Sequence, residues 1–182
     1  MFKKIINIKR EMSEKEFIIS IVGGFIAILL ATFFSNTILE TEDLPLVLAS
    51  TGASTVLMFS LPLSPLSQPW NLVGGHLVSA FVGVSCYFLV SNELLAVSLS
   101  VPFSMLFMHH FRCMHPPGGA TAITAVVGGA NVHELGYAFL IIPVAINSII
   151  LLSIAMAIAT FREENPFEVP DKEEEEVDVL EE

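Results

Sequence analysis

An all-α integral membrane protein of about six membrane segments is the fold class this sequence predicts, and three observations carry it. Hydrophobic residues make up 53% of the chain against 15% charged, a balance that leaves little polar surface to face water. From Phe17 to Phe161 there is one arginine, no lysine and five acids, so the charges collect at the two ends. Between those ends the apolar runs approach the length that about 30 Å of hydrocarbon requires, and short polar connections separate them.

Three regions follow. Residues 1–16 are basic, with Lys3, Lys4, Lys9, Arg10 and Lys15. Residues 17–161 form the membrane domain. Residues 162–182 carry eleven acids, which account for most of the net charge of −11. The tail "EENPFEVPDKEEEEVDVLEE" reads as a solvated, disordered segment, with a docking tail for a basic partner as the alternative. Cys86 and Cys113 imply no disulfide framework. The first apolar stretch is too long for a cleavable signal and reads as a helix that stays.

The first span is expected over about Phe17 to Leu39, closed by the acidic residues Glu40, Glu42 and Asp43. The second covers about Leu44 to Leu61, and "PLSPLSQPWN" makes an uncharged connection. The third runs from about Asn71 to Val90, the fourth from about Leu94 to His110, and the sixth from about Leu135 to Thr160. The fifth, from Pro116 to about Gly129, has some fourteen residues and is too short to cross upright.

Basic residues near span ends set orientation, which places the N-terminus in the cytoplasm of a multi-pass plasma (inner) membrane protein. If the fifth segment crosses, the tail is cytoplasmic too; if it dips and returns, the tail lies outside. "STGASTVLMF" from Ser50 resembles "PGGATAITAV" from Pro117, with Gly52-Ala53-Ser54 over Gly119-Ala120-Thr121. Three spans per half would then form an inverted 3+3 repeat, a plan in which interrupted segments mark the substrate site. Recurrence of small residues for close packing is the other explanation.

The stretch "MHPPGGATAITAVVGG" from Met114 concentrates the unusual residues. Pro116 and Pro117 suit a helix's first turn, Gly118 and Gly119 leave the backbone accessible, and Thr121 and Thr124 add hydroxyls. A helix starting here inside the membrane would aim free amides and its positive end at an anion. A tight turn at the membrane surface is the alternative. In the first half, Gln68 and Asn71 precede the third span, Asn71 as its cap and Trp70 as an interfacial anchor. His76, Ser79 and Gly83 share one face, and an intramembrane histidine must be paired or face water.

"HPPGGAT" from His115 and "LPLSPLSQPWNLVGGHLVSAFVG" from Leu61 resemble the HPP family of integral membrane proteins over about Leu44 to Thr160. The resemblance implies a small helical membrane protein with a transport role, and nitrite as the substrate with which plastid and cyanobacterial relatives are associated. Some bacterial relatives carry a C-terminal CBS domain, for which this chain has only an acidic tail.

The expected function is therefore a transporter or channel for a small inorganic anion. Pro116, Pro117, Gly118 and Gly119 would supply the helix end, with Thr121 beside them. His115 and Arg112 would give a positive approach from the cytoplasm, and Gly52, Ser54 and Thr55 would complete the site opposite. His76 or His115 could carry a proton. No phosphate-binding GxxxxGK[ST] loop is present for nucleotide coupling. A metal-handling protein is the second reading, since His109, His110, Cys113 and His115 lie within seven residues. A non-transporting sensor or assembly component is the third. No nucleophile–base pair points to an enzyme. No cofactor and no nucleic-acid partner are expected; the lipid bilayer and a second copy of the chain, a dimer by default, are.

Truncation after Glu164 should leave membrane insertion and solute flux unchanged if the membrane domain is the machine. Loss of function in the truncated chain, measured in proteoliposomes, would place the output in the tail.

Overall fold

The computed structural model describes residues 13–39 and 43–161; the tail and the basic residues up to 12 lie outside them. All secondary structure among the described residues is helical. Helix α1 (Glu14–Asn36) starts with a capping box, in which the Glu16 amide donates to Ser13 Oγ at 3.3 Å and the Ser13 amide to Glu16 Oε2 at 2.8 Å. One face of α1 is a buried line of small residues, Gly23, Ala27, Ala31 and Ser35, while Ile18, Phe25 and Phe33 face outward. That division suits a helix with lipid on one side and close-packed helices on the other.

Helix α2 (Leu44–Ser60) returns, with Pro45 in its first turn. A 3-10 turn over Pro65–Ser67 follows, and the buried Ser67 hydroxyl ties it back to the carbonyls of Leu57 and Leu61 at 3.2 and 2.7 Å. Helix α3 (Pro69–Leu89) crosses again. Helix α4 (Glu93–His110) is capped by Asn92 Oδ1, which accepts from the Leu95 amide at 2.9 Å. Pro102 sits inside α4 without ending it. Helix α5 (Gly118–Val127) is ten residues, about 15 Å at 1.5 Å per residue. The short α6 (Ala130–Leu135) and a 3-10 turn (Gly136–Leu140) lead into the last crossing, α7 (Ile146–Ala159).

Among the described residues, three stretches are long and apolar enough to cross alone: Glu14–Asn36, Pro69–Leu89 and Ala130–Ala159. The last was expected as one uninterrupted span from residue 135, and the structure corrects this. Residue Ile142 leaves helical geometry (φ −126°, ψ 110°) immediately before Pro143, because a proline lacks the amide and crowds the preceding turn. The expected cap of α3 is also corrected. Gln68 holds the N-cap position, and Asn71 lies within the first turn, where its Nδ2 donates to Met114 O at 2.8 Å.

Helix α5 begins inside the protein, as one of the two readings of the Pro-Gly run required. Pro117 and Gly118 are buried and His115 is 0% exposed. Gly118 lies against the Gly75 carbonyl and Ser79 Oγ, and Ser79 is midway along α3. The helix pairs match between two halves of three, α1 with α7 corresponding to α4 with α3 and α1 with α2 to α4 with α5, a pattern that a parallel repeat would share with an inverted one. The fit is incomplete, since α3 packs far more extensively on α5 than α2 does on α7.

What holds α3 to the 113–118 stretch is near-contact of backbones. A Cβ on Gly75 would overlap His115 Cβ and stand 2.9 Å from Cys113 O; one on Gly83 would overlap Ala122 O. Gly119 differs, since a Cβ there would meet only Val101 Cγ1, at 3.8 Å. Gly75→Ala and Gly83→Ala should each destabilise by about 1–3 kcal/mol through overpacking. Gly119→Ala should be neutral or slightly stabilising, because alanine is the better helix former. Thermal melts in detergent check the contrast; equal losses at Gly75 and Gly119 would contradict it.

Candidate functional site

Where α2, α3 and α5 meet, four polar side chains form one connected line. Ser54 Oγ is 2.7 Å from His76 Nε2 and 2.9 Å from His115 Nε2. His76 Nδ1 is 2.7 Å from Thr121 Oγ1, and His115 Nδ1 is 3.0 Å from the Leu66 carbonyl. Ser54 and His115 are fully buried, Thr121 and His76 nearly so. The imidazoles meet edge to face, with centroids 4.9 Å apart.

Donor and acceptor roles in this line follow from one fixed end. A carbonyl only accepts, so His115 Nδ1 carries a proton, and a neutral ring then has an acceptor at Nε2. That acceptor takes the Ser54 hydroxyl proton. The Ser54 oxygen accepts from His76 Nε2–H, which leaves His76 Nδ1 to accept from the Thr121 hydroxyl. All four groups are satisfied without a charge, as burial in low dielectric demands.

The Thr121 end opens on a cavity of about 10 Å³, room for about one water. Its polar lining is Ser50, Thr51, His76, Thr121, Asn147 and Ser148, with Val47, Phe139, Val144 and Leu151 as apolar walls. Ser50 and Thr51 donate to Val47 O at 3.1 and 3.2 Å, and Ser148 to Val144 O at 2.9 Å. These hydroxyl protons are thereby taken by helix carbonyls. Asn147 Nδ2 donates to Ser35 Oγ at 2.9 Å and keeps a second proton.

Of the expected site residues, the structure brings together His76, His115, Ser54 and Thr121. The free amides expected at the start of α5 are not there. The Gly118 amide donates to His115 O at 2.9 Å, Gly119 to Pro116 O at 3.0 Å and Ala120 to Pro117 O at 3.1 Å, so the prolines serve the turn and offer no open donors. Gly52 faces open space, Thr55 donates to Thr51 O at 2.9 Å, Gln68 holds the N-cap position of α3, and Asn71 ties α3 to the Met114 carbonyl. Arg112 is exposed at the rim, outside the hydrogen-bonded line.

The metal reading is not supported by the arrangement: Cys113 and His115 are buried while His109 and His110 face outward, and no cluster of three ligand side chains forms among the described residues. Sequence reasoning missed Ser50, Thr51, Asn147 and Ser148; Asn147, an amide in an apolar run, was the available signal. His133 also went unweighed. It donates from Nε2 to Val126 O at 3.0 Å and stacks on Tyr87 at 3.8 Å, fixing the far end of the bundle.

Removing the hydroxyl at Ser54 strands a donor on His76 and an acceptor on His115. Ser54→Ala should therefore cost about 1–3 kcal/mol for each unpaired group, and Ser54→Thr should restore most of the loss. Chemical unfolding in detergent measures both; wild-type stability of Ser54→Ala would contradict the hydrogen-bonded line.

The comparisons with known proteins agree with this architecture. A family model described as HPP, transmembrane region, matches residues 9–167. Two transmembrane proteins of Dictyostelium discoideum are similar, one 34% identical over 152 residues (81% of this chain and 49% of the relative). The other is 35% identical over 123 residues (65% of this chain and 43% of the relative). The chain thus spans about half the length, or less, of these curated relatives. No solved structure matches it. With its helical membrane body and the family motif at the centre of its packing, the chain belongs to the HPP family of multi-pass membrane proteins.

Proposed function

We propose that the protein moves a small inorganic anion across the membrane together with a proton, with nitrite as the anion the family resemblance implies. The observation that carries this reading is the buried line Thr121–His76–Ser54–His115, which ends on a water-sized cavity lined by both polar and apolar side chains. The reading is of a transporter and not of an enzyme. The basic N-terminal residues favour a cytoplasmic N-terminus in a plasma membrane, and a homodimer is the simplest assembly for so small a membrane body.

A proton received at His76 Nδ1 converts that nitrogen from acceptor to donor. Thr121 must then accept, and its own O–H turns free to donate into the cavity. The same event places a positive charge beside a cavity whose walls are otherwise neutral. An anion is thus attracted only when a proton is present, which is the physical basis of coupling. The proton can continue: His76 Nε2–H passes to the Ser54 oxygen as the Ser54 proton passes to His115 Nε2. One O–H and one N–H bond break, one of each forms, and the charge moves from His76 to His115.

The cavity is too small for the three heavy atoms of nitrite, so this conformation is closed. Its far wall (Val144, Asn147, Ser148 and Leu151) follows the break at Ile142, and movement of α7 about that break is the simplest opening.

Nitrite flux into proteoliposomes should rise with an inward proton gradient. Ser54→Ala, which cuts the line, should lower flux at least tenfold, whereas Ser54→Thr should retain most of it. Thr121→Val should weaken binding roughly threefold to tenfold, the effect of one hydrogen bond. Wild-type flux in Ser54→Ala, indifferent to the gradient, would remove this reading.

A further inference from the structure

Helix α4 ends in a Schellman turn. The Cys113 amide donates to Met108 O at 2.9 Å and the Arg112 amide to His109 O at 3.2 Å, with Met108 and Cys113 packed in the interior. Such a turn requires a left-handed residue, and glycine is the usual occupant because it has no Cβ. Here the position is Arg112, with φ +53°, the one non-glycine left-handed residue described. Its side chain is exposed and makes no hydrogen bond or ion pair with any described residue. Among the described residues, nothing accounts for a guanidinium at this left-handed position.

The surroundings define what it meets. Trp70, 58% exposed at the start of α3, donates from its indole Nε1 to Phe111 O at 3.1 Å, one bond from the Arg112 amide. Phe107 and Phe111, one turn apart at the end of α4, are also exposed. Tryptophan and arginine at adjoining ends of two spans mark the boundary between hydrocarbon and headgroups. From Phe107 an apolar cleft of about 410 Å³ runs between α3 and α4, past Phe103, Leu99 and Phe81, to Leu89 and Val90 near the opposite end.

The geometry points to a binding site for an anionic phospholipid, with its phosphate on Arg112 and one acyl chain in the α3–α4 cleft. The guanidinium presents a planar fork of donors that fits a phosphate bidentately. The cleft begins at Phe107, one helical turn before Phe111, and runs along α4 away from the Arg112 turn, an apolar groove of the kind an acyl chain fills. Neither feature alone selects a lipid; a lone cation would take a soluble anion, and a greasy groove would take any chain. Together they require a molecule with both ends. This inference stands independently of the transport reading.

Trp70 is the only tryptophan in the sequence, so its fluorescence reports on this corner alone. Phosphatidylglycerol brominated near the headgroup end of its acyl chains should quench Trp70 several-fold more than brominated phosphatidylcholine at equal mole fraction in vesicles. Arg112→Gly should abolish that excess while raising Tm by roughly 2–4 °C through relief of the left-handed strain. Equal quenching by the two lipids in the wild type, or an excess that survives Arg112→Gly, would overturn the site. Relief of quenching by soluble glycerol phosphate would likewise overturn it, since that would show an anion site with no use for the chain.

Discussion

Two imidazoles sharing one hydroxyl in the middle of an apolar body set the terms for the rest of this structure. A buried charge would be expensive, and an unpaired ring nitrogen nearly as unwelcome. The carbonyl of Leu66 resolves this by fixing which nitrogen of His115 holds its proton, and every later partner follows from that choice. The 61–69 connection, which carries Leu66, is in turn held by the Ser67 hydroxyl to the end of α2. A surface-looking proline-rich loop is thereby part of the electrostatics of the centre.

Backbone proximity makes this arrangement possible. His115 reaches Ser54 only because the 113–118 stretch lies on α3 with no side chain between them, at Gly75. The His-Pro-Pro-Gly-Gly motif serves geometry before chemistry: its prolines and glycines form a turn whose amides are already paired, and the turn delivers one histidine to mid-depth. The same turn starts α5 where Thr121 faces His76. Close packing and the polar line are therefore one construction, and a side chain added at Gly75 would disturb both.

The helical membrane class, most helix positions and the buried start of α5 were legible because hydrocarbon thickness and proline-glycine chemistry act locally in the sequence. So were His76, His115, Ser54 and Thr121, as polar residues that an apolar body must justify. Their connectivity was not legible, because a sixty-one-residue separation between Ser54 and His115 leaves no periodic trace. Free amides at Gly118 and Gly119 were expected from helix ends in general. The turn closed by Pro116 and Pro117 took those donors instead. The break at Ile142 was written in Pro143, but a long apolar run concealed it. Asn147 and Ser148 went unnoticed for the same reason, although both line the cavity, Asn147 bonded to Ser35 on α1 and Ser148 to the Val144 carbonyl just before α7.

The central claim is the direction of hydrogen bonding through Ser54, and imidazole nitrogen NMR tests it most directly. Protein labelled with nitrogen-15 in histidine, at neutral pH in lipid, gives separate signals for protonated and bare ring nitrogens. His76→Gln and His115→Gln variants identify the two central rings among the five histidines. The account predicts two neutral rings of opposite tautomer, His76 protonated at Nε2 and His115 at Nδ1. Identical tautomers, or a resident charge on either ring, would contradict it.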